Sequence, residues 1–437
     1  MPSRREFLKL GATFIGGLVI GGASGYALAP KQVVTQPTTQ TSQIQTSTPA
    51  QTIRKLKAAW IYVGPVGDLG WSHAHDVGKR ATEGAFPWLE TDYAESIDES
   101  KCLGAIESFI RKGYKLIFTT SFDHMNPTYQ AAEKYPDIIF FHCSGYKRRA
   151  NMGTYFADLY QVYYINGIMA GALTKTGNLG YVAAHLIPEV IRHINAFTIG
   201  AMEVNPNIRV YVIELGSWVA PEKAEKAADT MVRKFDVDVL AFTEDTPQTV
   251  KYCQKLYEDE GKLVPVFGHY SPMYKFGKDV VVSGQVVRWE VIYKDIVAKV
   301  YAGLYTNKNL ADVDYWYLLN SGAVDVGSTS YYDEFWVNDK FIPILKSKKV
   351  VDKITGVKMS ALDLAKLRYS QMKDRNLTFD PFTGPLEGVW WSKNPGKVLG
   401  KTYNEGETVK VPRGARLGHD DLWSMGWFLK NVTVYAP

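Results

Sequence analysis

Cysteine is scarce in this sequence: the 437 residues contain three, Cys102, Cys143 and Cys253. Their odd number argues against a fully paired disulfide framework, and their wide spacing excludes the C-x-x-C motif of a zinc site. We therefore interpret all three as buried thiols.

A concentrated excess of one charge is also missing. The chain has 50 basic and 45 acidic residues, which gives a net charge of +5, and it has no long basic run beyond the extreme N-terminus. Such a diffuse balance argues against nucleic acid as a partner. With 46% hydrophobic and 22% charged residues, the chain has the composition of a globular protein with substantial cores.

Two motifs of enzyme active sites are missing as well. The loop "VGPVGDLG" spaces its glycines as Gly64, Gly67 and Gly70, which is not the G-x-G-x-x-G phosphate fingerprint, and Pro65 lacks the N–H that would face an anion. No G-x-S-x-G segment offers a nucleophilic serine. The sequence thus predicts neither an enzyme nor a bound cofactor.

A metal site is the stronger alternative. His73 and His75 follow a predicted strand, which is how many metal-dependent hydrolases begin their site. If a helix begins at Ser72, however, side chains two residues apart point about 200° away from each other and cannot share one ion. We predict no metal site, and a secreted hydrolase that uses His73 and His75 stays as an alternative.

The N-terminus carries an export pattern. Ser3-Arg-Arg-Glu-Phe-Leu-Lys9 precedes an uncharged apolar run over residues 10–28, as in a twin-arginine signal. We predict that residues 1–29 are such a signal, either cleaved or retained as a membrane anchor, because about 20 apolar residues span a bilayer. Residues 30–53 are rich in Thr, Ser and Gln and predict a flexible tether. The remainder is expected outside the cytoplasm, at the cell surface or in the periplasm.

From residue 54 onward, short apolar runs alternate with helical patterns, which predicts parallel sheets wrapped by helices. We predict one α/β lobe over 54–165, a second over 166–288, and a segment over 289–437 that returns through the hinge and packs on the lobes. The predicted strands are Ala58–Val63, Lys115–Thr119, Ile138–Cys143, Leu179–Ala184, Arg209–Leu215, Val237–Thr243 and Val264–Gly268. The predicted helices are Ser72–Phe86, Lys101–Lys112, Pro127–Lys134, Pro188–Glu203, Pro221–Phe235 and Pro247–Glu260.

Several segments carry a family resemblance. They are "VGPVGDLGWSHAHDVGKRATE", "KLIFTTSFDHMNPTYQAAEKYPDIIFFHCSGY", "GNLGYVAAHLIPEVIRHINAFTIGAMEVNP", "DPFTGPL" and "LWSMGWF". Together they resemble the basic membrane protein family, the extracytoplasmic solute-binding proteins of ABC transporters that are related to the purine nucleoside receptor. The similarity runs from Lys57 to the C-terminus. It implies a type I periplasmic-binding-protein fold, in which two doubly wound α/β lobes joined by hinge strands close on a small solute.

The resemblance also implies a ligand, partners and site residues. Family ligands are mostly purine bases or nucleosides, the Gly-Asp-x-Gly-Trp branch is associated with adenine, and the protein is expected to act as a monomer with ABC permease subunits. For Asp68, capping of the helix that begins at Ser72 is an alternative role. The residues that match family ligand contacts are Asp68, Trp71, Ser121, Phe122, Trp218, Asp245 and Trp289.

Two departures from the family pattern bear on the ligand. Where nucleoside-binding relatives carry an acidic residue and a lysine for the ribose, this sequence has Tyr270 and Val287. An unpaired hydroxyl buried in a cleft costs about 1–3 kcal/mol, so a bare base is favoured over a nucleoside. A ligand sensor with the same fold is a further alternative.

Overall fold

The computed structural model describes residues 54–67 and 69–435. The predicted export signal, the predicted tether and Asp68 lie outside the described residues. Within that part of the chain, no helix is both long and apolar enough to cross a membrane.

Strands are numbered here in chain order. They are β1 Leu56–Ile61, β2 Leu89–Ala94, β3 Leu116–Thr119, β4 Ile139–Cys143, β5 Met152–Ala157, β6 Asn178–Ala183, β7 Arg209–Glu214, β8 Val239–Thr243, β9 Val266–Gly268, β10 Val281–Val287, β11 Asp314–Tyr317, β12 Val324–Val326, β13 Lys349–Val351, β14 Lys358–Ser360, β15 Leu386–Trp390, β16 Gly396–Val398, β17 Lys401–Tyr403, β18 Thr408–Val411, β19 Trp427–Leu429 and β20 Val432–Tyr435.

Helices are numbered in the same way. They are α1 Trp71–Ala85, α2 Glu99–Arg111, α3 Met125–Lys134, α4 Tyr160–Leu173, α5 Pro188–Val204, α6 Pro221–Lys234, α7 Gln248–Glu260, α8 Glu290–Tyr301, α9 Ile342–Ser347, α10 Ala361–Lys373 and α11 His419–Trp423.

Two large sheets organise two α/β lobes. The first lobe has the strand order β11-β5-β4-β3-β1-β2, and the second has β12-β10-β9-β8-β6-β7-β20. All neighbouring strands run parallel except β12, which pairs antiparallel with β10. Parallel strands place their carboxyl ends at one edge of each sheet, which is where open α/β sheets bind ligands.

The lobes are joined by several chain crossings. The chain passes from the first sheet to the second after β5, returns after β10 to place α8 against α1, and crosses again between β11 and β12. These crossings form the predicted hinge between two α/β lobes. Since closure of such lobes needs only small backbone rotations at the crossings, the geometry suits a hinged clamp.

Small residues allow α4 and α5 to pack closely beside the hinge. A Cβ atom added at Gly171 would lie 2.6 Å from the carbonyl oxygen of Ala201, and Gly167 and Gly200 face backbone atoms of the opposite helix at shorter range. These glycines therefore serve the close packing of the two helices. The first turn of α5 faces the cleft between the lobes, where Glu189 bonds to residues of both.

Residues after β12 add a third structural unit. Helices α9 and α10 pack on α4, while β15, β18 and β19 form a small antiparallel sheet in the order β18-β15-β19. Strand β20 then joins the edge of the second lobe beside β7. The sequence gives no path for this unit, because its short strands pair with partners far away in the chain.

Most predicted elements are confirmed to within a few residues. Helix α1, for example, is predicted at 72–86 and observed at 71–85. Strand β2 is missed, because its sequence "LETDYA" lies at a partly exposed sheet edge and has no apolar run. Strand β5 is missed because it follows β4 without an intervening helix, which breaks the alternation on which the prediction depends.

Candidate functional site

A small cavity lies where the carboxyl ends of the two sheets face each other. We call it the inner cavity. It is lined by Val63, Trp71, Ser121, Phe122, Ser144, Glu189, Trp218, Asp245 and Tyr270. The first five residues belong to the first lobe and the last four to the second, so both lobes contribute to one site.

The inner cavity brings together five residues that the sequence predicts as ligand contacts. They are Trp71, Ser121, Phe122, Trp218 and Asp245. Each follows a strand of its lobe's sheet at the carboxyl end, which explains why residues more than a hundred positions apart converge.

Local hydrogen bonds fix the loops that carry these side chains. The Ser121 hydroxyl accepts a hydrogen bond from the backbone N–H of Asp123 at 3.3 Å and so begins the short helical turn that contains Phe122. In the second lobe, the backbone N–H of Asp245 donates to the carbonyl of Trp218 at 2.9 Å. Asp245 and Trp218 are therefore positioned as a pair.

Trp71 forms a fixed wall of the inner cavity. Its indole N–H donates to the carbonyl of Thr120 at 2.6 Å, and its ring meets that of Tyr270 edge-on at 4.8 Å between centroids. Trp289 lies behind this wall: it is fully buried, stacks on His75 at 4.0 Å and meets Trp71 at 5.4 Å. The structure thus places Trp289 against Trp71 and outside the lining of the inner cavity.

Glu189 is a cleft residue that sequence reasoning misses. Its carboxylate accepts hydrogen bonds from the Ser144 hydroxyl of the first lobe at 2.6 Å and from the Tyr270 hydroxyl of the second lobe at 2.7 Å. Burial, and then the charge of Glu189, raise the pKa of Tyr270, which keeps this phenol a hydrogen-bond donor. Glu189 therefore links the two lobes across the cleft.

Glu189 lies in one of the segments that carry the family resemblance, but the resemblance does not single it out as a ligand contact. It lies in the first turn of α5, after Pro188, where an acidic residue is ordinarily favoured by the helix dipole. Its partners Ser144 and Tyr270 both adopt positive φ, 68° and 56°, which turns their side chains from the sheet edges toward the cleft. Only the folded arrangement of two lobes shows that these three residues meet.

The lobes touch at the rim of the inner cavity. The Ser271 hydroxyl of the second lobe donates to the carbonyl of Gly70 in the first at 3.1 Å. The cavity is almost filled by its own lining: its volume is about 10 Å³, no more than one water molecule needs. The lobes are therefore closed tightly on each other here, and they must part to admit a ligand.

The two histidines considered for a metal site have other contacts. His75 is buried, its Nδ1 lies 2.5 Å from the Tyr293 hydroxyl, and burial lowers its pKa well below the usual value. The Nδ1 of His73 lies instead 3.0 Å from the carbonyl oxygen of Val66. Within the described ranges, no group of three or more His, Cys, Asp or Glu residues could hold a metal ion.

Glu244, beside the inner cavity, predicts a pH-dependent stability. It is fully buried, and burial raises its pKa from 4.5 to about 7. The hydrogen bond that its carboxylate accepts from the Thr246 N–H at 2.8 Å lowers the pKa, but by less than burial raises it. Because the folded pKa exceeds the unfolded one, the protonated form contributes stability fully below about pH 4.5, and this contribution is lost as the pH rises through about 7.

We therefore expect Glu244→Gln to raise the free energy of unfolding at pH 8, relative to wild type, by about 1–3 kcal/mol, and to have much less effect at pH 4. Urea titrations at both pH values measure the difference. Glu258→Gln, an exposed site on α7, serves as the control and should be neutral at both. An equal effect of Glu244→Gln at the two pH values would contradict the expectation.

Known protein sequences include clear relatives. The profile of the Bmp family, described as ABC transporter substrate-binding protein PnrA-like, matches residues 55–354. The purine-binding protein BAB2_0673 of Brucella abortus is 33% identical over 370 residues, which are 82% of this chain and 95% of that protein. The provisionally named ABC transporter glucose-binding protein TsgA13 of Haloferax volcanii is 36% identical over 248 residues, 57% of this chain and 62%, less than two thirds, of that protein.

Solved structures show the same fold. An ABC transporter solute-binding protein of Aeropyrum pernix superposes with a TM-score of 0.60 at 15% identity, over 73% of this chain and 91% of the other. One from Conexibacter woesei superposes with a TM-score of 0.53 at 15% identity, over 75% and 99% of the two chains. The predicted type I periplasmic-binding-protein fold is confirmed.

The predicted family is confirmed as well. Its members are substrate-binding proteins and not enzymes; such proteins bind small molecules outside the cytoplasm and work with ABC permeases. The match over residues 55–354, together with the similarity to the Brucella protein over most of both chains, shows that this chain belongs to the Bmp family of PnrA-like ABC transporter substrate-binding proteins.

Proposed function

We propose that the protein captures a purine base, adenine or a close analogue, by closure of its two lobes and delivers it to an ABC importer. The observation that carries this proposal is the inner cavity, where aromatic faces from both lobes and two carboxylates from the second lobe converge on one narrow space. Ligand contacts in both lobes favour the closed state over the open one. The purine-binding relative supports the same ligand class.

The aromatic side chains account for the shape of the ligand. Trp71, Phe122 and Trp218 line the inner cavity, and a purine ring that stacks on an aromatic side chain gains about 1–3 kcal/mol. The indole N–H of Trp218 is buried and has no hydrogen-bond acceptor among the described residues. In our proposal it donates to a ring nitrogen of the base.

The polar side chains account for its orientation. The Asp245 carboxylate accepts a hydrogen bond from the exocyclic amine or a ring N–H, since an ionised carboxylate only accepts. Ser121 offers a hydroxyl from the opposite lobe, and Glu189 with Tyr270 closes the far side of the cavity. Trp289 keeps Trp71 in place through their ring contact.

Export is part of the proposal. The twin-arginine pattern of residues 1–29 and the polar composition of residues 30–53 support a folded protein that is exported and remains tethered near its permease. An ABC permease receives the solute from its binding protein at the external face of the membrane that the permease spans. A tether of this kind therefore raises the local concentration of the binding protein near the permease.

The experiment is calorimetric titration of the purified protein with adenine, hypoxanthine, adenosine and glucose, in wild type and in Asp245→Asn. We expect saturable binding of adenine with one site per chain. The substitution should weaken it by about 10- to 150-fold, because a hydrogen bond to a charged group contributes about 1.5–3 kcal/mol. Asp259→Asn, an exposed site paired with Lys255, is the matched control and should bind as wild type.

Two results would contradict the proposal. One is binding of glucose without binding of any purine, which would assign this chain the ligand named for the Haloferax relative. The other is adenine binding that Asp245→Asn and Asp259→Asn leave equally unchanged, which would place the base outside the inner cavity.

A further inference from the structure

An exposed apolar patch lies on the C-terminal unit. Helix α9 and the hairpin of β13 and β14 make up residues 342–360, which we call the lysine hairpin. Single exposed apolar side chains are ordinary, whereas a cluster of them marks a surface that contacts something else. Four large apolar side chains of this segment are between 45% and 61% exposed, namely Ile344, Val351, Ile354 and Val357.

The lysine hairpin folds without the help of these four side chains. In the strand pair, Val350 lies opposite Met359 and is buried, while Val351 lies opposite Lys358 on the solvent side. Helix α9 likewise contributes the buried Leu345 to the core. Because the solvated face of an antiparallel pair normally carries polar residues, the outward apolar side chains are available for a contact outside the chain.

The root of the lysine hairpin is fixed to the body of the protein. Asp352, directly after β13, is fully buried and pairs with the guanidinium of Arg368 in α10. The Nε–H of Arg368 in turn donates to the Tyr164 hydroxyl of α4 at 3.3 Å. Residues 353–358, which follow this root, are all exposed, so the turn projects from the surface on a firm support.

The charge around the apolar patch is positive. The lysine hairpin has a single acidic residue, Asp352, which is buried and neutralised by Arg368. Its five basic residues are Lys346, Lys348, Lys349, Lys353 and Lys358. Lys353 lies 3.9 Å from Glu203, and the other four form no ion pair with any described residue. Since lysine stems cover apolar surface while their ammonium groups stay in water, the patch is an apolar centre with a cationic rim.

An anionic lipid surface matches this combination. Apolar side chains at the tip can enter the boundary between headgroups and acyl chains, while the lysines meet headgroup phosphates. A second copy of the same patch would bring two cationic rims together, and these repel each other. A projecting turn also offers no pocket for the anchor residues of a protein partner, whereas a fluid lipid surface closes around it.

We propose that the lysine hairpin docks on a membrane surface that contains anionic phospholipids, with Ile354 and Val357 at the boundary between headgroups and acyl chains. This inference goes beyond solute capture and rests on the proposed function in one respect, the export of a chain that stays near a membrane. The predicted tether and the lysine hairpin then hold the protein at two points. Two attachments strengthen the association and select the side of the protein that faces the membrane.

The test places an environment-sensitive fluorophore in the patch. Val357→Cys provides the thiol, because the three native cysteines are buried and burial raises the pKa of each of their thiols. The labelled full-length chain is mixed with vesicles of phosphatidylcholine alone, or of phosphatidylcholine and phosphatidylglycerol in equal parts. We expect a blue shift of the emission with the anionic vesicles only, and its loss in about 1 M salt, where the Debye length is about 3 Å. The same label at Glu258→Cys, an exposed site on α7, should show no shift.

Substitutions separate the charge from the apolar contact. Lys349→Gln combined with Lys358→Gln should lower the ratio of membrane-bound to free label about 5- to 30-fold, because each lysine near an anionic surface contributes about fivefold. Ile354→Ser should lower the same ratio about fivefold or more, since it removes apolar area from the contact. Lys393→Gln combined with Lys397→Gln, two exposed lysines outside the patch, is the matched control and should change nothing.

Several results would overturn the membrane contact. They are the absence of a blue shift on anionic vesicles, an equal shift on phosphatidylcholine alone, and a loss in the control pair as large as in Lys349→Gln with Lys358→Gln. A dimer in analytical ultracentrifugation that Ile354→Ser abolishes would assign the patch to a second copy and overturn the proposal as well.

Adenine titration of the same variants keeps the two proposals apart. Because every substituted residue is exposed and lies outside the inner cavity, each variant should show an intact fold by circular dichroism and bind adenine as wild type does. Failure of wild type to bind any purine contradicts the proposed solute capture and leaves the vesicle result standing.

Discussion

Gly70→Ala is expected to weaken ligand binding by roughly 5- to 150-fold without unfolding the protein. A Cβ atom at this position would lie 2.5 Å from the carbonyl oxygen of Asp245, and its three nearest neighbours are all backbone atoms of that residue. Backbone atoms of a neighbouring loop cannot move aside as a flexible side chain can, and forced overpacking costs about 1–3 kcal/mol. The contact joins the two lobes, so the clash disappears when they separate.

Gly70→Ala therefore destabilises the closed state and leaves the stability of the open state unchanged. Calorimetric titration with adenine measures the loss of affinity, and small-angle scattering of the liganded protein should show a larger radius of gyration than in wild type. Gly67→Ala, three residues earlier in the same loop, is the matched control, because a Cβ atom there has nothing within 4 Å. A Gly70→Ala protein that binds as tightly as Gly67→Ala would refute closure through this contact.

The sequence predicts the lobes well because their signal is local. Each buried strand is a short apolar run, and in each helix apolar residues recur about every 3.6 residues. Elements such as β1, α1 and β4 can therefore be recognised without knowledge of their neighbours. The C-terminal unit has no such signal. Strand β20 pairs with β7 across more than two hundred residues, and β16 and β17 have three residues each.

The residues of the candidate site also fall into those that the sequence predicts and those that it does not. Trp71, Trp218 and Asp245 follow strands and match a family pattern, so sequence reasoning finds them. Glu189 lies in a family-like segment but is not predicted as a contact, because its role depends on the approach of the two lobes to each other. Trp289 matches the family pattern, yet in this structure it packs behind Trp71, one layer away from the inner cavity.

Arg192→Met is expected to lower the free energy of unfolding by about 3–5 kcal/mol. Asp158 is fully buried, and its carboxylate pairs with the Arg192 guanidinium at 2.8 Å. Burial alone would raise the pKa of Asp158, but the charge of Arg192 and the hydrogen bonds from His193 and Trp316 outweigh it and hold that pKa well below its usual range. Removal of one partner leaves an uncompensated buried charge, which is strongly destabilising.

The loss of stability in Arg192→Met should depend on pH. A depressed folded pKa contributes stability that is present in full above the unfolded value of 3.8 and is lost progressively as the pH falls from that value through the folded pKa. In Arg192→Met the folded pKa should rise, so the deficit measured by urea titration should be large at pH 7 and smaller at pH 3. The double variant with Asp158→Asn should recover part of the loss at pH 7, because the amide carries no charge.

Arg233→Met, which removes a surface ion pair, is the control for Arg192→Met. Arg233 is half exposed and pairs with Asp229 and Glu260, and exposed pairs of this kind contribute about 0–1 kcal/mol. If Arg192→Met costs no more than Arg233→Met, the buried pair does not stabilise the fold. If the deficit instead persists in full with Asp158→Asn, it arises from lost packing and from loss of the hydrogen bond that Arg192 donates to the carbonyl of Leu422.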